Sequence, residues 1–217
     1  MKQPIGATVN NARAALRLLG RQPPDLEEAR QALTQIVQDG MRASDIVDGI
    51  RALIKKAPSR KEPLDINAAI REVIELTRGE AVKNGVSVRM DLARGGLPLI
   101  EGDRVQLQQV ILNLIMNAVE AMSGVSGGAR ELLVSTRKAE PKGVLVAVRD
   151  SGPGLATETL ERLFEAFYTT KPGGLGMGLS ICRSIIAAHG GRLWASANVP
   201  RGATFEFTLP AHPDINS

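Results

Sequence analysis

The sequence contains, in this order, Asn113-Leu-Ile-Met-Asn117-Ala-Val-Glu120-Ala, Asp150-Ser-Gly152-Pro-Gly154 and Lys171-Pro-Gly-Gly174-Leu-Gly176-Met-Gly178-Leu. An asparagine-bearing helix can hold a metal ion, and an aspartate beside two glycines can accept a hydrogen bond from a base. A glycine-rich turn that opens a helix can bind phosphates. Together the three segments predict one nucleotide site assembled from distant parts of the chain.

The first segment predicts a metal-binding helix. Asn113 and Asn117 are four residues apart and share one face of a helix whose other positions are mostly apolar. An asparagine carbonyl oxygen is a hard, neutral ligand that suits octahedral Mg²⁺ completed by water and phosphate oxygens. Two helical asparagines alone are more often ordinary surface residues. The two downstream segments favour the metal interpretation.

The third segment predicts a phosphate-binding lid. Gly174, Gly176 and Gly178 alternate just before a helical apolar run that starts at Leu179, so bare backbone amides and a helix N-terminus would face the phosphates. A dinucleotide-binding fold would need a strand before these glycines, and residues 168–173 do not have a strand pattern. We therefore expect a flexible lid, with Lys171 available to the terminal phosphates.

The three segments resemble the N, G1 and G2 boxes of the ATP-binding domain of bacterial sensor histidine kinases, the two-component family. The likeness is close to the nitrogen- and oxygen-sensing branch and covers nearly the whole chain, through Phe164-Glu-Ala-Phe167-Tyr-Thr-Thr-Lys171-Pro and His189-Gly-Gly-Arg-Leu-Trp194. It implies the two-layer α/β sandwich shared with gyrase, Hsp90 and MutL. It also implies ATP and Mg²⁺ as cofactors and a response-regulator receiver domain as partner.

The resemblance further implies a role for each site residue. Asn117 is the Mg²⁺ ligand, and Asp150 accepts a hydrogen bond from the adenine amine that guanine lacks at that position. Thr204 matches a late family position near the phosphates, but it is equally consistent with an ordinary strand threonine. The expected ATP-binding residues are Asn113, Asn117, Asp150, Gly152, Gly154, Lys171, Gly174, Gly176, Gly178, Leu179 and Thr204.

The implied activity is that of a protein-histidine kinase, which transfers the γ-phosphoryl group of ATP to a histidine and thence to a response-regulator aspartate. Family members carry the acceptor in a His-Glu-x-x-Gln-Pro segment, and this chain opens with Met1-Lys2-Gln3-Pro4. We therefore expect the acceptor histidine and its glutamate to precede Met1, and this chain to be unable to phosphorylate itself. It would be an excised fragment or a naturally shortened protein. His189, at a predicted helix end, has the position of a helix cap.

Two other functions stay open at the level of sequence. A gyrase- or MutL-type ATPase uses a glutamate one helical turn before the metal asparagine, and Asn113 takes that place and cannot act as a base. Hydrolysis should therefore be slow. A non-catalytic ATP-binding regulatory module that docks a regulator through its helices is the other alternative.

The predicted fold class is α+β. Residues 1–57 have the spacing of a helical hairpin, with apolar seams over 5–19 and 33–54 and a turn at Pro23-Pro24-Asp25. Two helices leave an apolar stripe uncovered, so we expect a homodimer through residues 5–54 that forms a four-helix bundle. The alternative is that the hairpin packs on its own downstream domain. Residues 58–63 are the expected linker and 64–211 the ATP-binding domain.

Within 64–211 the sequence patterns predict helices and strands in an order that suits a mixed sheet. Asp103 is expected to cap the helix that carries the two asparagines. The predicted helices are 67–84, 104–122, 157–163 and 177–188, and the predicted strands are 86–92, 131–138, 144–149, 192–197 and 203–209.

Composition argues against several other classes. Nucleic-acid binders usually have a dense stripe of basic residues and aromatic residues that stack on bases. This chain has a net charge of only +4 and 3% aromatic residues, so neither feature is present in its sequence. No apolar run approaches a membrane span and no signal-peptide pattern opens the chain. We expect a cytoplasmic location, or the cytoplasmic part of a larger membrane-associated sensor. The single Cys182 allows no internal disulfide and is expected to be a buried packing residue.

Overall fold

The structure, a computed structural model, describes residues 2–22, 24–33, 36, 61–124, 128–169 and 176–212. These residues belong to two compact units, and each is described by itself. The first contains the N-terminal helices. The second contains all the strands described below and the helices between them.

The first unit opens with helix α1, Lys2–Leu19, and residues 26–33 are helical as well. The chain turns between them, where the backbone N–H of Asp25 donates to the Leu18 carbonyl across 3.1 Å. Asp25 Oδ1 then accepts the N–H of Glu28 at 3.1 Å, as a helix N-cap does. Most of the predicted second seam, residues 34, 35 and 37–54, lies outside the described residues.

Several large apolar side chains of this unit are exposed to solvent. Ala15 and Ala29 are buried, whereas the exposed side chains include Leu16, Leu19, Leu26 and Leu33. Exposed leucines at helical spacing are the expected signature of a surface that packs against another element.

The second unit is built on a five-stranded sheet in the order β2-β4-β5-β7-β6. Strands β2 and β4 are parallel, and the other neighbours are antiparallel. The predicted mixed sheet is thus confirmed. Its strands are β2 (Ser87–Asp91), β4 (Glu131–Ala139), β5 (Gly143–Asp150), β6 (Leu193–Ala197) and β7 (Ala203–Pro210).

Four helices complete this unit: α2 (Ile66–Lys83), α3 (Arg104–Ser123), α4 (Thr157–Arg162) and α5 (Gly178–Ala188). Asp65 caps α2 by accepting one backbone N–H of the first turn, and Asp103 caps α3 by accepting two. Alternate residues of β4, β5 and β7 are buried, as in a sheet covered on one face. The core lies between this face and the helices, so the two-layer sandwich is confirmed.

Every predicted helix and strand of this unit is present, with each end within one residue of its predicted position. The sequence patterns missed a two-stranded antiparallel ladder of β1 (Glu62–Leu64) and β3 (Ile100–Gly102). Glu62 and Pro63, the last two residues of the expected linker 58–63, pair with β3. Both strands are too short to show a periodic pattern.

Two smaller expectations can be compared with the described residues. Cys182 is 1% exposed, and burial raises the pKa of its thiol to about 12, which confirms it as a packing residue. Among the helices that the structure describes, none combines the length and apolar character needed to cross a bilayer.

Candidate nucleotide-binding site

Helix α3 presents the two predicted asparagines side by side. The amide Nδ2 of Asn117 donates to Oδ1 of Asn113 across 3.3 Å, and both side chains are half-buried beside a buried apolar row. This bond uses the amide nitrogen of Asn117 and not its carbonyl oxygen, which is the atom a hard cation would take. The two side chains thus lie on one face of the helix, and the metal-binding role of that face stays a prediction.

Asp150 ends strand β5 and is 5% exposed. Its Oδ1 accepts the backbone N–H groups of Gly152 at 2.8 Å and Ala203 at 3.2 Å. Oδ2 receives no hydrogen bond from the described part of the chain. Burial raises the pKa of this carboxyl, and the two backbone hydrogen bonds oppose the rise by a smaller amount. A donor that reached Oδ2 would stabilise the buried carboxylate.

Space beside this carboxylate depends on Gly152. An added Cβ at this position would lie 2.9 Å from Asp150 Oδ1 and 3.6 Å from the Cβ of Ala121 on α3. Any side chain would therefore fill the gap between the carboxylate and the helix that carries the asparagines. The close approach of this backbone to the carboxylate thus requires glycine.

Two further glycines bring the backbone of a turn against Asp150. Gly154 has φ +91°, and a Cβ there would lie 3.2 Å from the Gly202 carbonyl. Gly202 has φ +99°, and its Cβ would lie 2.1 Å from the Asp150 carbonyl oxygen. Sequence reasoning missed Gly202 as a site residue. In the sequence, Gly202 is marked only by its place directly before the strand that begins Ala203-Thr204-Phe205.

Thr204 contributes through a second residue that sequence reasoning missed. Its Oγ1 donates to Asn198 Oδ1 across 2.7 Å, and Asn198 Nδ2 donates to the Asp150 carbonyl at 3.3 Å. The hydroxyl therefore belongs to a relay that supports the Asp150 backbone. No local sequence pattern singles out Asn198, because its partner is 48 residues away.

The glycine-rich segment is described only in part. Lys171 and Gly174 lie outside the described residues. Gly176 has φ +64°, which favours glycine, and Gly178 and Leu179 open helix α5. The described geometry thus places Gly152 beside the Asp150 carboxylate, Gly154 against Gly202, and Thr204 on the Asp150 main chain through Asn198.

A metal ion at α3 would have to share its ligands with a bound nucleotide. Within the described residues no group of three or more His, Cys, Asp and Glu side chains could hold a metal ion. Mg²⁺ commonly binds with one or two protein oxygens and completes its octahedron with phosphate oxygens and water. The neutral amide of Asn117 fits that mode and would not suffice for a metal bound by protein alone.

The family assignment follows from a profile comparison. The family described as "Histidine kinase-, DNA gyrase B-, and HSP90-like ATPase" matches residues 102–213, more than half of the chain. The chain belongs to this ATPase family. Helix α3, the Asp150 turn and helix α5 all lie inside the matched residues.

Proteins similar to this chain include sensor histidine kinases. The chain is 39% identical over 97% of its length to the sensor histidine kinase TmoS of Ectopseudomonas mendocina. It is also 39% identical over 97% of its length to the sensor protein FixL of Bradyrhizobium diazoefficiens. It spans 22% of the length of TmoS and 41% of that of FixL.

Solved structures give the same result. Full-length ShkA in complex with AMPPNP is 26% identical with a TM-score of 0.71, over 96% of this chain and 45% of that one. Histidine kinase ThkA in complex with response regulator TrrA is 26% identical with a TM-score of 0.72, over 99% of this chain and 59% of that one. The predicted resemblance to sensor histidine kinases is confirmed, and the chain contains their type of ATP-binding domain.

Proposed function

We propose that this chain binds Mg²⁺-ATP and forms the catalytic core of a two-component sensor histidine kinase. The observation that carries the proposal is the buried carboxylate of Asp150. Two backbone donors occupy its Oδ1, and Gly152 keeps the space beside it free of any side chain. An adenine amine can donate to Oδ2 there, whereas guanine has a carbonyl oxygen at the equivalent position and would place two acceptors together.

The chain's own residues would divide the nucleotide among them. Asn117 would ligate Mg²⁺ and Asn113 would lie near the phosphates, while Asp150, Gly152 and Gly154 hold the base. Lys171, Gly174, Gly176, Gly178 and Leu179 would contact the phosphates, and Thr204 would support the base site through Asn198. Bound Mg²⁺-ATP would supply the transferable γ-phosphoryl group and the charge neutralisation that its transfer needs.

The reaction we propose is transfer of that group to a histidine that this chain lacks on its N-terminal helices, and then to an aspartate of a response-regulator receiver domain. The ThkA structure with its response regulator supports this choice of partner. Homodimerisation through residues 5–54 and a cytoplasmic location belong to the same proposal. The exposed leucines of the first unit support the dimer.

Calorimetric titration with nucleotides tests the base site. We expect Mg²⁺-ATP and Mg²⁺-ADP to bind more tightly than Mg²⁺-GTP, because only adenine offers an amine to Asp150. Asp150→Asn should reduce this preference, because the amide oxygen would keep the two backbone N–H groups and the NH2 group in place of Oδ2 cannot accept a hydrogen bond from adenine. Glu101→Gln, an exposed carboxylate on β3, is the matched control. Equal affinity of the parent chain for ATP and GTP would reject the assignment of Asp150.

Labelling with radioactive ATP tests the kinase assignment. The chain should gain no acid-labile phosphate, and an upstream segment that supplies His-Glu in helical register should restore it. Labelling of His189 or His212 in the unextended chain would show that the missing-acceptor interpretation is wrong. An extended chain that binds ATP but stays unlabelled would favour the non-catalytic ATP-binding module. Slow hydrolysis is expected in all cases, because Asn113 cannot activate water.

A further inference from the structure

A shallow depression of about 290 Å³ lies on the second unit between helix α5 and strand β6. None of its lining residues belongs to the proposed nucleotide site. We refer to it as the Phe164–Trp194 groove, and its lining includes Phe164, Arg183, Ala187, Gly191, Arg192 and Trp194.

The groove combines aromatic surface with uncompensated positive charge. The guanidinium of Arg183 lies over the Phe164 ring at 5.8 Å from its centroid, and that of Arg192 lies 6.0 Å from the Trp194 centroid. The lining contains two arginines and no acidic residue. Among the ion pairs of the described residues, none involves either arginine. Both guanidinium groups can therefore accept an external anion.

The indole N–H of Trp194 has a partner within the domain. Its indole Nε1 donates to Glu206 Oε2 across 3.0 Å, and Glu206 in turn faces Arg137 at 3.5 Å. The donor of Trp194 is thus satisfied within the domain, and Arg137 offsets the carboxylate beneath it. What the ring offers to a ligand is its apolar surface.

We propose that the Phe164–Trp194 groove binds an acidic segment of a protein partner, with carboxylates on Arg183 and Arg192 and apolar side chains against the two rings. Arginine, tryptophan and other aromatic residues dominate the energetic centres of protein interfaces. The depression is open, and its volume lies just below the range of about 300–1,000 Å³ for small-molecule pockets. It therefore suits protruding side chains better than an enclosed metabolite.

The intrinsic fluorescence of the protein provides a local reporter, because Trp194 is the one tryptophan in the sequence. The probe is a short peptide of alternating glutamate and leucine without aromatic residues, added to the whole chain in the presence of saturating Mg²⁺-ATP. The nucleotide keeps the peptide out of the phosphate site. We expect a saturable change in Trp194 emission, and no such change with the same peptide in which glutamine replaces glutamate.

Three variants decide whether the groove is responsible. Arg183→Gln and Arg192→Gln should each weaken peptide binding by about tenfold, as expected for loss of one charged contact at an interface centre. Arg71→Gln removes the same charge from an exposed position of α2 outside the groove and should leave binding unchanged. Circular dichroism verifies that all three fold.

Several outcomes would overturn the proposal. These are the absence of a saturable change with the acidic peptide, equal weakening by all three variants, or equal binding of the glutamine peptide. Displacement of the peptide by inorganic tripolyphosphate or by a single-stranded oligonucleotide at equal affinity would also overturn it, because the site would then be a general anion site. Binding that needs both arginines and ignores these competitors supports an acidic protein partner.

Discussion

The backbone N–H of Asp103 donates a hydrogen bond to Nε2 of His189 across 3.0 Å. Because an amide N–H can only donate, Nε2 is the acceptor and Nδ1 carries the ring proton, which it shares with the Ile185 carbonyl at 2.8 Å. The second bond is the helix-end role expected of His189. The first, unexpected bond ties the end of α5 to the N-cap of the asparagine helix α3.

Loss of this imidazole should destabilise the domain. His189 is 3% exposed, so His189→Ala leaves a cavity and an unpaired Asp103 N–H, and we expect a loss of about 2–4 kcal/mol in the free energy of unfolding. His212→Ala is the control, because Nδ1 of His212 has no hydrogen-bond partner among the described residues. Urea denaturation measures both. Equal losses would show that the two bonds of His189 contribute little.

The stability of the Asp150→Asn variant should depend on pH in a defined direction. Burial raises the folded-state pKa of Asp150 above its unfolded value, so ionisation costs folding free energy as pH rises through these values. An amide oxygen can still accept both backbone N–H groups without that cost. We therefore expect the variant to be at least as stable as the parent at pH 7 and to lose this advantage below the unfolded pKa. Denaturation midpoints measured across pH check this expectation. A parent chain that gains stability over the variant as pH rises would show that the two backbone hydrogen bonds outweigh the cost of burying the charge.

Gly202→Ala should disrupt the turn behind the carboxylate. Its Cβ would lie 2.1 Å from the Asp150 carbonyl oxygen at a φ of +99°, and we expect a loss of about 2–4 kcal/mol. Gly79→Ala is the matched control, because a Cβ there meets nothing within 4 Å and the residue lies inside helix α2. That change should stabilise the protein by about 0.5–1 kcal/mol. Thermal unfolding of both variants separates steric conflict from a general effect of alanine.

Asn117→Ala should weaken the magnesium-dependent part of ATP binding. Calorimetry with and without Mg²⁺ gives that part as a difference, and we expect most of it to vanish because the amide oxygen is the proposed ligand. Gln108→Ala, on the opposite face of helix α3 where the Gln108 amide donates to Glu72, should retain it. Circular dichroism should report an intact fold for both. An unchanged magnesium dependence in Asn117→Ala would remove this residue from the proposed site.

The exposed leucines of α1 should mediate dimerisation. Light scattering is expected to give a dimeric mass, and Leu16→Glu should shift it toward the monomer because Leu16 is 71% exposed on the proposed seam. Leu76→Glu is a matched control at a leucine of α2 that is 74% exposed. A monomeric parent chain, or equal effects of the two substitutions, would contradict the proposed interface.

Sequence periodicity predicted the long elements well because each buries one regular face. Helix α3 and strands β4, β5 and β7 repeat their apolar residues with the period of their structure. Strand β1 escaped prediction because it has three residues and contains Pro63.

The residues of the candidate site also fall into two groups, those in a local sequence motif and those brought together only by folding. Asp150 and its glycines form a local motif that sequence alone can reveal. The Ala203 N–H that completes the carboxylate's hydrogen bonds is 53 residues further along the chain, and only the folded sheet brings the two together. Contacts of this kind leave no local pattern, which is why Gly202 and Asn198 were found only in the structure.

Strand β7 determines when the sheet of this domain can be completed during synthesis. The last of the strands that the structure describes is an interior strand of the sheet, with β5 on one side and β6 on the other. A nascent chain on the ribosome therefore cannot close the sheet, or place Ala203 against Asp150, until residues beyond 203 have left the exit tunnel. Until then β5 and β6 both present open edges, which attract other chains. Assembly of the proposed nucleotide site thus has to wait for the synthesis of β7.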